Sequence, residues 1–186
     1  MERNVALVTG ACINTGVAVA EKFAAEGWDV VFTGRDEAKV SAAQTRYAQK
    51  FPNVRFYGYV LPSLAADGTV DGDGVKRLFS ELDKKGLFVR CLVLNAADQG
   101  LGMKIFESPL SDFERVIRTD RWEKNPDWYR TVPSAFTPLG DVADGSDIAD
   151  GVWYFAAHAR NTTGAELVID GGNTAQLYPV IPENAQ

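Results

Sequence analysis

Residues 5–16 read VALVTGACINTG. An unbroken apolar run, Val5-Ala6-Leu7-Val8, stops on Thr9-Gly10, and the chain reopens through small and polar residues to a second glycine, Gly16. An apolar run without alternation is the pattern of a strand buried on both faces of a parallel sheet. Residues Val17 to Ala24 have helical composition and close at Gly27, a suitable stop. The stretch is therefore a strand, a tight turn and a helix. Such a junction points backbone N–H groups outward at the positive end of the helix, where a phosphate group binds. Glycine suits it because a Cβ would block close approach or forbid the dihedrals. The plain alternative is a tight turn that holds nothing.

Outward from this stretch the alternation continues. Trp28 to Thr33 predicts a second buried strand, and Asp36 is a candidate N-cap for a helix running to Gln49-Lys50 and ended by Pro52. Val54 to Val60 predicts a third strand. Ser63 to Gly74, SLAADGTVDGDG, reads as a surface loop, followed by a helix over Val75–Leu82 and a fourth strand over Cys91–Leu94. Four strands separated by helices imply a parallel α/β sheet, doubly wound, with right-handed crossovers. Beyond Asn95-Ala96-Ala97 the pattern weakens. Pro109 to Ile117 resembles a helix start with Ser111 as cap and Glu114 completing a capping box. A polar and aromatic stretch follows, then a short helix over Ser146–Phe155 and a last apolar strand, Glu166–Ile169.

Composition narrows the function classes. The chain has 186 residues, 46% of them hydrophobic and 24% charged, which suits one globular domain with a proper core. A formal charge of -6 argues against a nucleic-acid partner, because phosphate-backbone contacts need clustered Lys and Arg. There is no run of about 18 apolar residues to span a membrane, and the N-terminus lacks the layout of a signal peptide. Cys12 and Cys91 are the two cysteines and His158 the single histidine. Neither a disulfide framework nor a metal site is expected, and a reducing cytoplasm is the expected compartment.

Three motifs in order carry a family resemblance. Thr9-Gly10-Ala11-Cys12-Ile13-Asn14-Thr15-Gly16 resembles the TGxxxGxG fingerprint of the short-chain dehydrogenases/reductases, with Asn14 where the middle glycine usually stands. Asn tolerates left-handed backbone better than other non-glycine residues. Asn95-Ala96-Ala97 is similar to the family's NAG element. Pro138-Leu139-Gly140, Asp147-Ile148-Ala149 and Thr163 to Gly172 resemble its C-terminal signature. The resemblance implies a Rossmann-type doubly wound parallel sheet with helices on both faces, and residues 1–186 as a single dinucleotide-binding domain. It implies a cofactor site of Gly10, Cys12, Ile13, Asn14, Thr15, Gly16, Arg35, Asn95 and Ala96. It also implies carbonyl/alcohol interconversion on a small organic substrate by a homodimer or homotetramer.

Cofactor choice is read at the end of the second strand. An NAD site usually places an acid there for the ribose 2′-OH, whereas NADP calls for positive charge. Here the sequence is Phe32-Thr33-Gly34-Arg35-Asp36: Gly34 stands at the acid position and Arg35 follows. A guanidinium can hold a 2′-phosphate through two parallel hydrogen bonds, so NADP(H) is favoured over NAD(H). The alternative is a solvated Arg35, with Asp36 on the ribose.

The resemblance also implies a catalytic serine and a Tyr-x-x-x-Lys pair, and this sequence has no such pair. Four positions after its six tyrosines stand Phe51, Leu61, Ser63, Pro133, His158 and Pro182. The residues around Arg118-Thr119-Asp120-Arg121 read as a seam, where the family's fifth helix gives way to the segment beyond the sixth strand. Rest of helix, strand, helix and strand would take roughly 50 residues. The expected sheet thus lacks the fifth and sixth strands, which leaves the fourth strand as an apolar edge. Either further residues belong at the seam, or the last strand slides beside the fourth and a partner chain covers the rest. Catalytic residues are therefore not assigned, and a second reading stands open: a nucleotide-binding or assembly protein that kept the fold and lost the chemistry. A flavodoxin-like or receiver-type domain is disfavoured, since neither calls for this turn together with the closing IDGG.

Among the rest, Asp98 to Gly102 would lie at the carboxyl edge of the sheet, as pocket lining or as an ordinary loop. Trp122, Trp128, Tyr129 and Phe136 would form a lid over substrate or pack on the sheet or a subunit interface. Ser134 has no base beside it, His158 reads as a surface or helix-end residue, and the tail PENAQ is expected to be disordered.

Overall fold

A computed structural model describes residues 3–61, 71–96 and 137–175. The chain divides into two units, Met1–Leu101 and Gly102–Gln186. The expected seam, the Asp98–Gly102 loop, the aromatic stretch, Ser134 and the tail lie outside the described residues.

The first unit alternates β1 (Val5–Val8), α1 (Asn14–Ala25), β2 (Asp29–Gly34), α2 (Glu37–Lys50), β3 (Phe56–Val60), α3 (Gly72–Lys84) and β4 (Val89–Val93). The strands form one parallel sheet in the order β3-β2-β1-β4. The chain steps outward from β1 to β3 and returns to the other side of β1 to make β4. The winding thus reverses between β1 and β4, and in an open α/β sheet ligands bind beyond the carboxyl ends of the strands at such a reversal.

The four residues of β1 and all six of β2 are buried, as an apolar run without alternation requires. Helix α2 turns Val40, Ala43 and Tyr47 inward at helical spacing. There the Tyr47 ring stacks on Phe56 at 4.5 Å and meets Phe32 edge-on at 5.2 Å. Fully burying Phe23, Phe32 or Leu7 contributes about 1.5–3 kcal/mol each. Asp36 caps α2, its carboxylate accepting from the Lys39 N–H at 3.1 Å. Asp71 does the same for α3, which therefore starts at Gly72, three residues before the expected Val75.

β4 differs from its neighbours. Among the described strands it pairs only with β1, and Phe88, Leu92 and Leu94 around it are exposed. Among the described strands β4 is therefore an edge of the sheet, with apolar residues along it.

In the second unit, α4 (Gly145–Trp153) is capped by Asp144 in a reciprocal capping box with Asp147. It runs on into a π-helical turn, Tyr154–His158, whose last residue is the exposed His158. The expected strand over Glu166–Ile169 does not form. A strand exists only where a neighbour takes its N–H and C=O groups, and this segment joins no ladder among the described residues. Its apolar residues find partial cover locally: Leu167 and Ile169 pack over Gly151 of α4, while Val168 remains 65% exposed. The segment ends in a turn tied by Asp170, which accepts from the N–H groups of Gly172 and Thr174 at 2.9 and 2.8 Å. Among the described residues no helix is long and apolar enough to cross a membrane.

Candidate functional site

The site is built where β1 and β4 end side by side. Thr9 joins them: its N–H donates to the Val93 carbonyl at 3.0 Å, and its hydroxyl accepts from the N–H groups of Asn95 and Ala96 at 3.0 and 2.9 Å. The Asn95 side-chain amide donates back to the Thr9 carbonyl at 2.9 Å and towards that of Gly10 at 3.4 Å. Asn95 thus holds the strand end in place through its side chain, leaving Ala96 exposed at the rim.

The two glycines of the turn are required for different reasons. Gly10 has φ +68°, the left-handed region that other residues avoid. Gly16 is required by space: a Cβ there would stand 2.5 Å from the Gly10 carbonyl oxygen and 2.8 Å from the Ala11 Cα. Between them, Asn14 sits at φ +50°, alone among the described non-glycine residues in having positive φ. It occupies the backbone conformation that a glycine would otherwise supply.

From Thr9 to Cys12 every carbonyl is held by the protein. Besides the Asn95 bonds, the Tyr47 hydroxyl donates to the Ala11 carbonyl and the Arg46 guanidinium to that of Cys12 at 3.1 Å. On the other side of the loop, Thr33 accepts from Gly10 N–H through its hydroxyl and from Ala11 N–H through its carbonyl. A trans peptide carries its N–H opposite its C=O. With the Ala11 and Cys12 carbonyls pinned, the N–H groups of Cys12 and Ile13 face the other way, and neither has a hydrogen-bond partner among the described residues. They lead into α1, which starts at an extended Ile13 with no side-chain cap. α2, α3 and α4 each carry an aspartate cap. The result is a short row of unpaired amides at a positive helix end, a fitting receptor for a diphosphate.

The expected site residues divide by what they present. Gly10, Ile13, Asn14, Thr15, Gly16 and Ala96 shape or line the loop, with the Ile13 side chain 56% exposed. Cys12 contributes its N–H; its side chain is buried. Arg35 is exposed directly beyond β2 and makes no ion pair or hydrogen bond among the described residues. Asp36 is engaged as the α2 cap. Three supporting residues, Thr33, Arg46 and Tyr47, escape the sequence reading. Only the Val40-Ala43-Tyr47 spacing signalled that Tyr47 faces the core; nothing local signalled where its hydroxyl goes.

Burial raises the pKa of the Tyr47 phenol, so it stays a neutral donor to Ala11. Burial also raises that of the Cys12 thiol, with Arg46 and Lys39 opposing. A separate cavity of about 940 Å³ opens at the amino ends of the strands, lined by Arg3, Asp29, Arg55 and Arg90 among others. It lies at the opposite end of the sheet from the loop.

Known proteins match this arrangement. The profile described as short chain dehydrogenase matches residues 4–121. Serine 3-dehydrogenase of Agrobacterium fabrum is 25% identical over 164 residues, covering 87% of this chain; the chain spans 60% of that relative's length. Among solved structures, L-sorbose reductase from Gluconobacter frateurii complexed with NADPH and L-sorbose superposes with a TM-score of 0.72 at 16% identity, covering 95% of this chain and 98% of its own. ElxO with NADP bound gives 0.72 at 19% identity, covering 95% and 100%. At those identities the structures establish a shared fold. The profile match covers well over half of the sequence, and with the turn, the winding reversal and the Thr9–Asn95 junction it leads to one conclusion: the chain belongs to the short chain dehydrogenase family.

Proposed function

We propose that this chain is an NADP(H)-dependent oxidoreductase of the short-chain type, interconverting a carbonyl and an alcohol on a small organic substrate. Residues 1–186 act in it as one dinucleotide-binding domain, assembled as a homodimer or homotetramer. The observation that carries the reading is the pair of N–H groups on Cys12 and Ile13, without hydrogen-bond partners among the described residues, at the start of α1, which has no side-chain cap. They receive the diphosphate, with Gly10 and Gly16 admitting it closely. Arg35 holds the 2′-phosphate, and Asn95 keeps Ala96 at the nicotinamide side. The bound nicotinamide supplies hydride exchange. Structures bearing NADPH or NADP among those of the same fold support the cofactor assignment.

A second reading is favoured by one specific feature, the absence of a Tyr-x-x-x-Lys pair. On that reading the chain binds the nucleotide and performs no hydride transfer.

Titration of the purified chain with NADPH and NADH, followed by tryptophan fluorescence and calorimetry, tests the binding. Micromolar NADPH binding with weaker NADH binding is expected; no association at millimolar nucleotide overturns both readings. NADPH oxidation against a panel of carbonyl compounds then separates them. Turnover supports the oxidoreductase, and binding without turnover across the panel supports the non-catalytic protein.

A further inference from the structure

We propose that Cys12 determines cofactor choice in this chain: its side chain fills the space that any side chain at Gly34 would need. The end of β2 is thereby closed to the carboxylate of an NAD site. This rests on the reading that the loop holds a dinucleotide.

The geometry at Gly34 is explicit. Its φ lies outside the positive range, so the backbone there would accept other residues. Space excludes them. A Cβ built on Gly34 stands 2.5 Å from the Cys12 sulfur and 2.8 Å from Val40 Cγ2. Contacts under 3.0 Å force something to move. Cys12 is poorly placed to move: it is 7% exposed, its sulfur is 3.8 Å from the Thr33 carbonyl, and Arg46 grips its own carbonyl.

Charge acts in the same direction. Arg46 and Lys39 both act electrostatically on the Cys12 thiol and Asp36 opposes them, so two cations stand against one acid at this corner before Arg35 is counted. The nearby acid, Asp36, has its carboxylate engaged by the Lys39 N–H. A 2′-phosphate meets positive charge here, while a bare 2′-OH finds no carboxylate placed by β2. A cysteine in the loop and a glycine at the strand end, 22 positions apart in sequence, thus act as one specificity element.

The test compares Gly34→Asp alone with Gly34→Asp/Cys12→Gly and Gly34→Asp/Val40→Ala. NADH and NADPH dissociation constants are read by fluorescence titration and folding by thermal melting. Gly34→Asp alone is expected to lower the melting temperature and weaken both nucleotides. Adding Cys12→Gly removes the closer of the two contacts, leaving that with Val40, and is expected to recover most of the lost melting temperature and shift the NADPH/NADH preference about ten-fold or more towards NADH. The proposal is overturned if Gly34→Asp alone melts like wild type and already prefers NADH. It is equally overturned if Val40→Ala rescues as well as Cys12→Gly, or if the Cys12→Gly pair folds and keeps the wild-type preference. If the Cys12→Gly pair does not fold, Cys12→Ala/Gly34→Ser replaces it, and recovery of the melting temperature over Gly34→Ser alone decides. Failure of wild type to bind either nucleotide sinks the underlying reading instead, which distinguishes the two.

Discussion

Thr9 and Asn95, 86 positions apart in sequence, clasp each other through two hydrogen bonds of 2.9 and 3.0 Å. The side-chain amide of Asn95 donates to the Thr9 backbone, and the Thr9 side chain accepts from the Asn95 backbone. The clasp fixes the ends of β1 and β4 relative to one another at the point where the winding reverses. Thr9→Val keeps the shape and removes the acceptor shared by Asn95 and Ala96. A stability loss of about 1–3 kcal/mol is expected. NADPH binding should weaken about ten-fold, with urea melts and fluorescence titration as the readouts. Unchanged affinity in Thr9→Val would show that the clasp does not position the cofactor loop.

Asn14 provides a test of backbone strain. At φ +50° a β-branched residue is a genuine outlier and glycine is at ease. Asn14→Gly should leave the melting temperature near wild type, while Asn14→Val should cost about 1–2 kcal/mol. At roughly 2–4 °C per kcal/mol for a chain of this length, scanning calorimetry resolves that difference.

Tyr47 supports the loop from beneath. Tyr47→Phe retains the stacking on Phe56 and leaves the Ala11 carbonyl without its buried donor. The expected cost is about 1–3 kcal/mol. Because the same bond aims the Cys12 N–H outward, NADPH affinity should fall with it. Equal destabilisation with unaltered affinity would separate the two roles.

Asp170 sets an acid limit on the second unit. Its carboxylate accepts from Thr174, side chain and backbone, and from the Gly172 N–H, which holds its pKa below the ordinary 3.8. A depressed carboxylate pKa contributes stability above the unfolded value and loses it as pH falls through the folded value. The 170–175 turn should therefore be fully formed at neutral pH and loosen below about pH 4. Asp170→Asn should loosen it at every pH. Amide exchange of Gly172 and Thr174 against pH, measured by NMR, reports this directly.

Much of the fold was legible locally. Val5–Val8 and Asp29–Gly34 announce buried parallel strands because their apolar runs do not alternate, and a strand covered on both faces tolerates little else. Asp36 announces the start of α2 because a short carboxylate before a helix has one favourable partner, the N–H three residues on. Gly10, Asn14 and Gly16 mark a turn whose dihedrals and clearances few other residues meet.

Other features required the folded chain. Whether Glu166–Ile169 becomes a strand depends on a neighbour to share its hydrogen bonds, and residue pattern cannot say whether one is at hand. That Tyr47 and Arg46 pin two carbonyls of the loop follows from how α2 lies on the sheet, and that Cys12 excludes a side chain at Gly34 follows from how the loop lies against the end of β2. Periodicity tells which face of an element is buried; it does not tell which atom of a distant segment that face will meet. The loop was therefore readable from its own residues, while the direction of its amides and the closure of the β2 end were decided by packing between segments far apart in sequence.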